Sequence, residues 1–281
     1  MDQRERLDFL VERFKMDSAQ YQDLEVKDDV AEKRMVLRSL MNIRMPRAMD
    51  EATLRVQDEF LEEEARKKGI VTLAEIPTVK EQYGSNHRFA DKISIWQGDI
   101  TRLSVDAIVN AANSRMLGCF IPCHRCIDNA IHSAAGIELR AECSHQMNRR
   151  KIQYGPRYEE PTGQAMLTRG YNLPAKHVIH TVGPIVAGVL TDSLRRDLEN
   201  CYRSVLECCV ANGLRTVAFC CISTGEFHFP NDEAAKIAVR TVSHFLEDHE
   251  AEFDRVIFNV FKDEDRILYE KEMGNEDAKR R

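Results

Sequence analysis

Residues 105–113 read Val-Asp-Ala-Ile-Val-Asn-Ala-Ala-Asn, an apolar run closed by two amides. Five further runs share that grammar: KISIWQGD (92–99), QAMLTRGY (164–171), HVIHTVGP (177–184), TVAFCCIS (216–223) and RVIFNVFK (255–262). Most are rich in Val, Ile or Phe and bounded by Gly, Asn or Asp, which predicts a strand for each. Helical stretches over 127–140, 192–212 and 231–249 lie between them. The second meets a stop at Asn212-Gly213, and the third starts behind Pro230 and Asn231-Asp232. This alternation predicts an α/β domain with helices on both faces of a mixed central sheet, three layers in all. Such sheets take ligands in the crevice at the carboxyl ends of their strands, so chemistry is expected in the loops that follow.

Upstream of residue 90 the pattern differs. Leu7, Leu10, Val11 and Phe14 fall at helical spacing, as do Met35 or Val36 with Leu40, and Leu54 with Phe60 and Leu61. Gly69 is a plausible stop, residues 71–76 read as extended, and the polar stretch 81–87 reads as a loop. The chain therefore divides into a helical N-terminal extension over 1–88 and a domain over 89–281. The apolar stripes favour a docked extension over a free tail.

The 281 residues are 43% hydrophobic and 31% charged, with a formal net charge of −6. That is globular composition, without the chain-wide basic field that would hold a nucleic acid. No run reaches the roughly 20 apolar residues of a membrane span, and MDQRERLDFL lacks the apolar core of a secretory signal. A cytoplasmic, reducing location is expected, with no nucleic-acid or membrane partner. The nine cysteines are then poor candidates for disulfides. Cys208, Cys209, Cys220 and Cys221 read as small buried hydrophobes.

Four loops follow the strands with unusual chemistry: Gln97-Gly98-Asp99-Ile100-Thr101, Asn110-Ala111-Ala112-Asn113, Ser223-Thr224-Gly225-Glu226-Phe227 and Asn259-Val260-Phe261. A Ser-Thr-Gly turn ahead of a helix offers backbone N–H groups and hydroxyls that suit a phosphate. Singly, each loop is ordinary turn chemistry. In this order and spacing they resemble the macrodomain family, which binds ADP-ribose, over a stretch from about Lys92 to Tyr269. The resemblance implies that Asp99 accepts from the adenine amino group, with the Ile100 backbone beside it. It implies that Asn110 and Asn113 line the distal ribose, and that Ser223, Thr224, Gly225, Glu226 and Phe227 cradle the diphosphate. Phe261 is a candidate to stack on adenine, with Phe258 as a nearby alternative.

The segment from Gly118 to Asn129 reads GCFIPCHRCIDN. Many hydrolytic macrodomains carry a glycine run here, followed by Val-Asp and Ala-Ile-His. In this chain Ile127-Asp128, Ala130-Ile131-His132 and Ala134-Ala135-Gly136 survive, but cysteines bracketing a histidine replace the glycines. That looks like the zinc-dependent branch, protein-ADP-ribose hydrolases with a Cys-x4-His-x-Cys ligand pattern matched by Cys119, His124 and Cys126. Two thiolates and an imidazole suit Zn²⁺ and leave a fourth position open, as a catalytic site requires. Cys123 could close the site but is expected to point away, and His132 is expected to pack or support from behind. The resemblance implies catalytic roles for Asp128 and Asn113, an ADP-ribosylated protein as substrate with acidic linkages, and ADP-ribose as product. Asp128 also fits the simpler role of a helix N-terminal carboxylate. Two rivals are a reader that binds ADP-ribose without cleaving it and a zinc-stabilised interaction module.

Overall fold

Capping chemistry sets the first three helices. In a computed structural model, which describes residues 1–274, α1 (Gln3–Met16) opens on an Asp2–Glu5 capping box. The side chains of Asp29 and Asp50 cap α2 (Val30–Ile43) and α3 (Glu51–Lys68). Leu7, Leu10, Val11, Phe14, Leu37, Leu40, Met41 and Phe60 form a small core of their own, closed by Ile137 from the second domain. The extension is docked, as its stripes predict.

β1 (Val71–Thr72) and the short α4 (Val79–Tyr83) follow. The sequence places a loop over 81–87, but a Thr78–Glu81 capping box starts a helical turn that runs to Tyr83. Val71, Ile76 and Val79 join the large core, so the seam between the cores falls between Leu61 and Val71 rather than at residue 88.

The second domain runs β2 (Ile93–Gln97), β3 (Leu103–Ser104), β4 (Ala107–Ala112), α5 (Ile127–Ala135), α6 (Ile137–Tyr154), β5 (Ala165–Arg169), β6 (His177–Val182), α7 (Asp192–Ala211), β7 (Thr216–Phe219), α8 (Asn231–His249), β8 (Arg255–Val260) and α9 (Asp263–Met273). β1 pairs with β3, and the other strands form one sheet in the order β2-β8-β7-β4-β6-β5. Only β5 is antiparallel to its neighbour, so the sheet is mixed. α7 packs on β5 and β6 and α9 on β2 and β8, with α8 between these helices, while α5 and α6 pack on β4 and β5. This is the expected three-layer α/β/α arrangement. The parallel strands place the residues after Gln97, Ala112, Val182, Phe219 and Val260 along one edge.

The predicted helix over 127–140 is two helices. Gly136 separates them at φ 95°, where a Cβ would lie 2.8 Å from Gln57 Nε2. Gln57 belongs to α3 and accepts the Ile137 N–H at 3.0 Å, so the extension sets this break.

Candidate functional site

β4 delivers Asn110 to the floor of the cleft, fully buried. Its Nδ2 donates to Asp128 Oδ1 at 2.8 Å and also faces His180 Nδ1 at 3.0 Å. The sequence expectation sets Asn110 beside the ribose; in the structure it is fully buried and holds Asp128. Asn113 is half-buried, donates to the Gly118 carbonyl at 3.2 Å and reaches Asp128 Oδ2 at 3.5 Å. Asp128 sits in the first turn of α5 and is 4% exposed. Burial raises its carboxyl to about 6, against the Asn110 bond and the Arg140 charge.

Behind this pair lies a second polar cluster. If Asn110 donates to His180 Nδ1, the other ring nitrogen carries the proton and donates to Thr168 Oγ1 at 3.1 Å. Cys143 Sγ is 3.7 Å from the same Nε2. Burial pushes His180 down to about 3, so it is neutral. His132, placed by sequence behind the loop, lies there with Nε2 3.5 Å from Asp128 Oδ1. Gly118 passes so close to its ring that a Cβ there would lie 2.8 Å away.

Residues 119–126 bring three soft donors together. Cys119 Sγ is 3.7 Å from His124 Nδ1, and with Cys126 Sγ all three atoms lie within 4.8 Å of one another. Each residue is half-buried. His124 turns its other nitrogen towards Glu226 Oε1, 3.9 Å away on the facing loop. Cys126 is the N-cap of α5, its sulfur accepting the Asn129 N–H at 3.4 Å. Burial, and then the neighbouring Cys119 and Asp128, push the Cys126 thiol up to about 12. Such crowding of acidic groups is what a shared divalent cation would relieve. The donor set therefore fits Zn²⁺. Cys123 stays out: at φ 51° it turns its sulfur to Ser39 Oγ at 3.2 Å and the Met35 carbonyl at 3.5 Å.

Along the facing loop Ser223 adopts φ 66°, and its buried Oγ has no hydrogen-bond partner among the described residues. A Cβ at Gly183 would lie 2.0 Å from that Oγ, so the residue that follows β6 must be glycine for the loop to seat. Thr224 Oγ1 donates to the Cys221 carbonyl at 3.0 Å, Gly225 and Glu226 are exposed, and Phe227 is half-buried. At the other end Asp99 Oδ1 accepts from Thr101 N at 2.9 Å and Oγ1 at 2.7 Å, while Lys68 of α3 pairs with Oδ2. Burial alone would raise Asp99, but Lys68 and Thr101 outweigh it and hold the carboxyl low. Ile100 is buried in the turn that follows. Phe261 is 75% exposed, whereas Phe258 is core against Tyr269, so of the two Phe261 is the one free to stack.

The sequence reading missed Lys68, Arg38, Arg140 and His180. All four act through partners at least 12 residues away, and no local pattern announces them.

The family described as Macro domain matches residues 109–238. A protein-ADP-ribose hydrolase of Treponema medium is 45% identical over 98% of this chain and 100% of its own length. A protein-ADP-ribose hydrolase of Staphylococcus aureus (strain MSSA476) is 44% identical over 86% of this chain and 84% of its own. The Trypanosoma brucei macrodomain, solved in complex with ADP-ribose, superimposes with a TM-score of 0.63 at 30% identity, covering 87% of this chain and 96% of that one. With the three-layer fold and strand-end loops in place, the chain belongs to the macrodomain family.

Proposed function

We propose that this chain is a hydrolase that releases ADP-ribose from modified protein side chains, acidic ones foremost, with Zn²⁺ held by Cys119, His124 and Cys126. The observation that carries this reading is the convergence of those three donors opposite the Ser223–Phe227 loop, with His124 and Glu226 3.9 Å apart across the gap. The hydrolase names of the relatives support it. A reducing, cytoplasmic setting suits nine cysteines that are all free.

In this reading the Asp99 carboxylate and the Ile100 backbone take adenine, Phe261 stacks on it, and residues 223–227 hold the diphosphate. The distal ribose then lies beside Asn113 and the Cys-His-Cys loop. When bound, Zn²⁺ supplies a Lewis acid at this reacting end. One water is consumed: its oxygen joins the anomeric carbon as the bond to the side-chain oxygen breaks, and the side chain leaves as its acid. Asn110 donates to Asp128 Oδ1 and Asn113 reaches Oδ2 at 3.5 Å, which leaves a lone pair on Oδ2 to orient the water, take its proton and pass it to the departing side-chain oxygen. Asn110 acts through Asp128 and is a positioning residue.

The test uses a mono-ADP-ribosylated protein and follows release of free ADP-ribose by Cys119→Ala, His124→Ala and Asp128→Ala. Expected is loss of bound zinc and of turnover in both ligand variants, with a drop of about 10²-fold in Asp128→Ala. Full turnover by either ligand variant would reject the zinc mechanism. A wild-type protein that binds ADP-ribose but releases none would be a reader.

A further inference from the structure

We infer that the N-terminal helices are the support of the Cys-His-Cys loop, and that Arg38 and Asn42 of α2, with Arg140 of α6, are positioning residues for its three ligands. This rests on the proposed zinc reading. The loop has no strand or helix over residues 118–126, and a single backbone hydrogen bond within it, from His124 N to the Ile121 carbonyl at 3.2 Å. Its shape is set from outside.

Each ligand has its own tether. Arg38 Nη2 reaches the His124 carbonyl at 3.4 Å and Asn129 Oδ1 at 2.7 Å, while its Nε reaches Asn129 Oδ1 at 3.2 Å. Asn129 passes this on: its backbone N–H donates to Cys126 Sγ, and its Nδ2 donates to the Ile121 carbonyl at 2.9 Å. Asn42, 1% exposed, accepts the Cys123 N–H at 2.9 Å and donates to Ser133 Oγ at 2.9 Å. That bond helps hold Cys123 in the left-handed region, where a non-glycine residue persists only if its surroundings impose it.

Arg140, 4% exposed, completes the staple. Its Nε donates to the Leu117 carbonyl at 2.7 Å and its Nη2 to the Cys119 carbonyl at 3.2 Å. Its Nη1 faces the carbonyls of Met41, Asn42 and Arg44 at the end of α2, at 3.2, 2.6 and 2.7 Å. The guanidinium also stacks on the Phe120 ring at 4.1 Å. One buried cation thus ties α2 to the backbone of a ligand. A ligand set ordered by folding binds its ion without the entropy cost of ordering the loop.

The test compares Arg38→Met and Asn42→Leu with Arg34→Met in the full chain. Arg34 lies on the same helix but pairs with Glu64 at 2.9 Å, away from the loop. Two quantities are read: zinc affinity by competition with a chromophoric chelator, and hydrogen exchange of amides 119–126 in metal-free protein. Arg38→Met and Asn42→Leu are expected to weaken zinc by about 10- to 100-fold and to speed loop exchange, with Arg34→Met like wild type. Arg38→Met keeps its apolar stem on a half-buried surface, so it reports even if Asn42→Leu fails to fold. Wild-type affinity and exchange in Arg38→Met would overturn the inference, as would an equal effect of Arg34→Met. If the wild-type protein binds no zinc, the cofactor reading falls, and metal-free exchange alone decides whether α2 supports the loop.

Discussion

Two clusters of cysteine and histidine occur among the described residues, and they differ in their access to solvent. Cys119, His124 and Cys126 are half-buried on an irregular loop, and the His124 nitrogen that faces Cys119 has no stronger partner among the described residues. His132, Cys143 and His180 also gather within 4.8 Å, but all three are buried. His180 is already engaged on both sides by Asn110 and Thr168. Proximity of donors is therefore a poor guide on its own. Access separates a prospective metal site from polar packing behind a carboxylate, since His132 in the buried cluster also has ring nitrogens without a hydrogen-bond partner among the described residues.

The largest expected effect tests that distinction by metal count. Cys119→Ala should reduce bound zinc from about one per chain to near zero, while Cys143→Ala keeps it at about one and costs about 1–2 kcal/mol of stability. Two zinc ions per wild-type chain, measured by elemental analysis, would break the comparison. Next comes pH. His180 is held at about 3 in the folded chain, below its unfolded value of about 6.5, so the unfolded chain binds the extra proton between them. Its contribution is complete above about 6.5 and is lost as pH falls towards 3, at up to ~1.4 kcal/mol per pH unit. Asp128, raised from 3.8 to about 6, gives an opposing slope between those values, so the difference between wild type and His180→Gln is the quantity to follow. Denaturant unfolding from pH 7 to 4 should show a shallower acid loss in His180→Gln; identical slopes would mean that His180 is protonated in the fold. The smallest effect lies at the far end of the cleft. Lys68 occupies Asp99 Oδ2, so Lys68→Met should tighten ADP-ribose by about threefold at most and leave zinc unchanged. Weaker binding by calorimetry would show that the ammonium helps adenine instead of competing with it.

The strand pattern was legible because each strand carries its own β-branched run and its own closing turn. The grouping of Cys119, His124 and Cys126 was legible through the resemblance to a Cys-x4-His-x-Cys pattern, not through spacing alone, since eight extended residues could span about 25 Å. The break at Gly136 was not, because what fills the space beside it is Gln57, from another helix. The burial of Asn110 follows from strands on both sides of β4, which no local reading supplies. That Val71 and Val79 join the core of the later sheet was likewise not legible, since their partners lie far along the chain.

Arg140 has a consequence for how such a loop changes over evolution and under engineering. Among the described residues, every hydrogen bond of its guanidinium goes to a main-chain carbonyl, at Leu117, Cys119, Met41, Asn42 and Arg44. A clamp that reads backbone is indifferent to the side chains mounted on it. The donors at positions 119, 124 and 126 can be exchanged for others while that grip stays the same, so the loop behaves as an interchangeable cartridge in a fixed socket. On the proposed zinc reading, Cys119→His would alter the metal preference of the loop while leaving the Arg140 bonds in place.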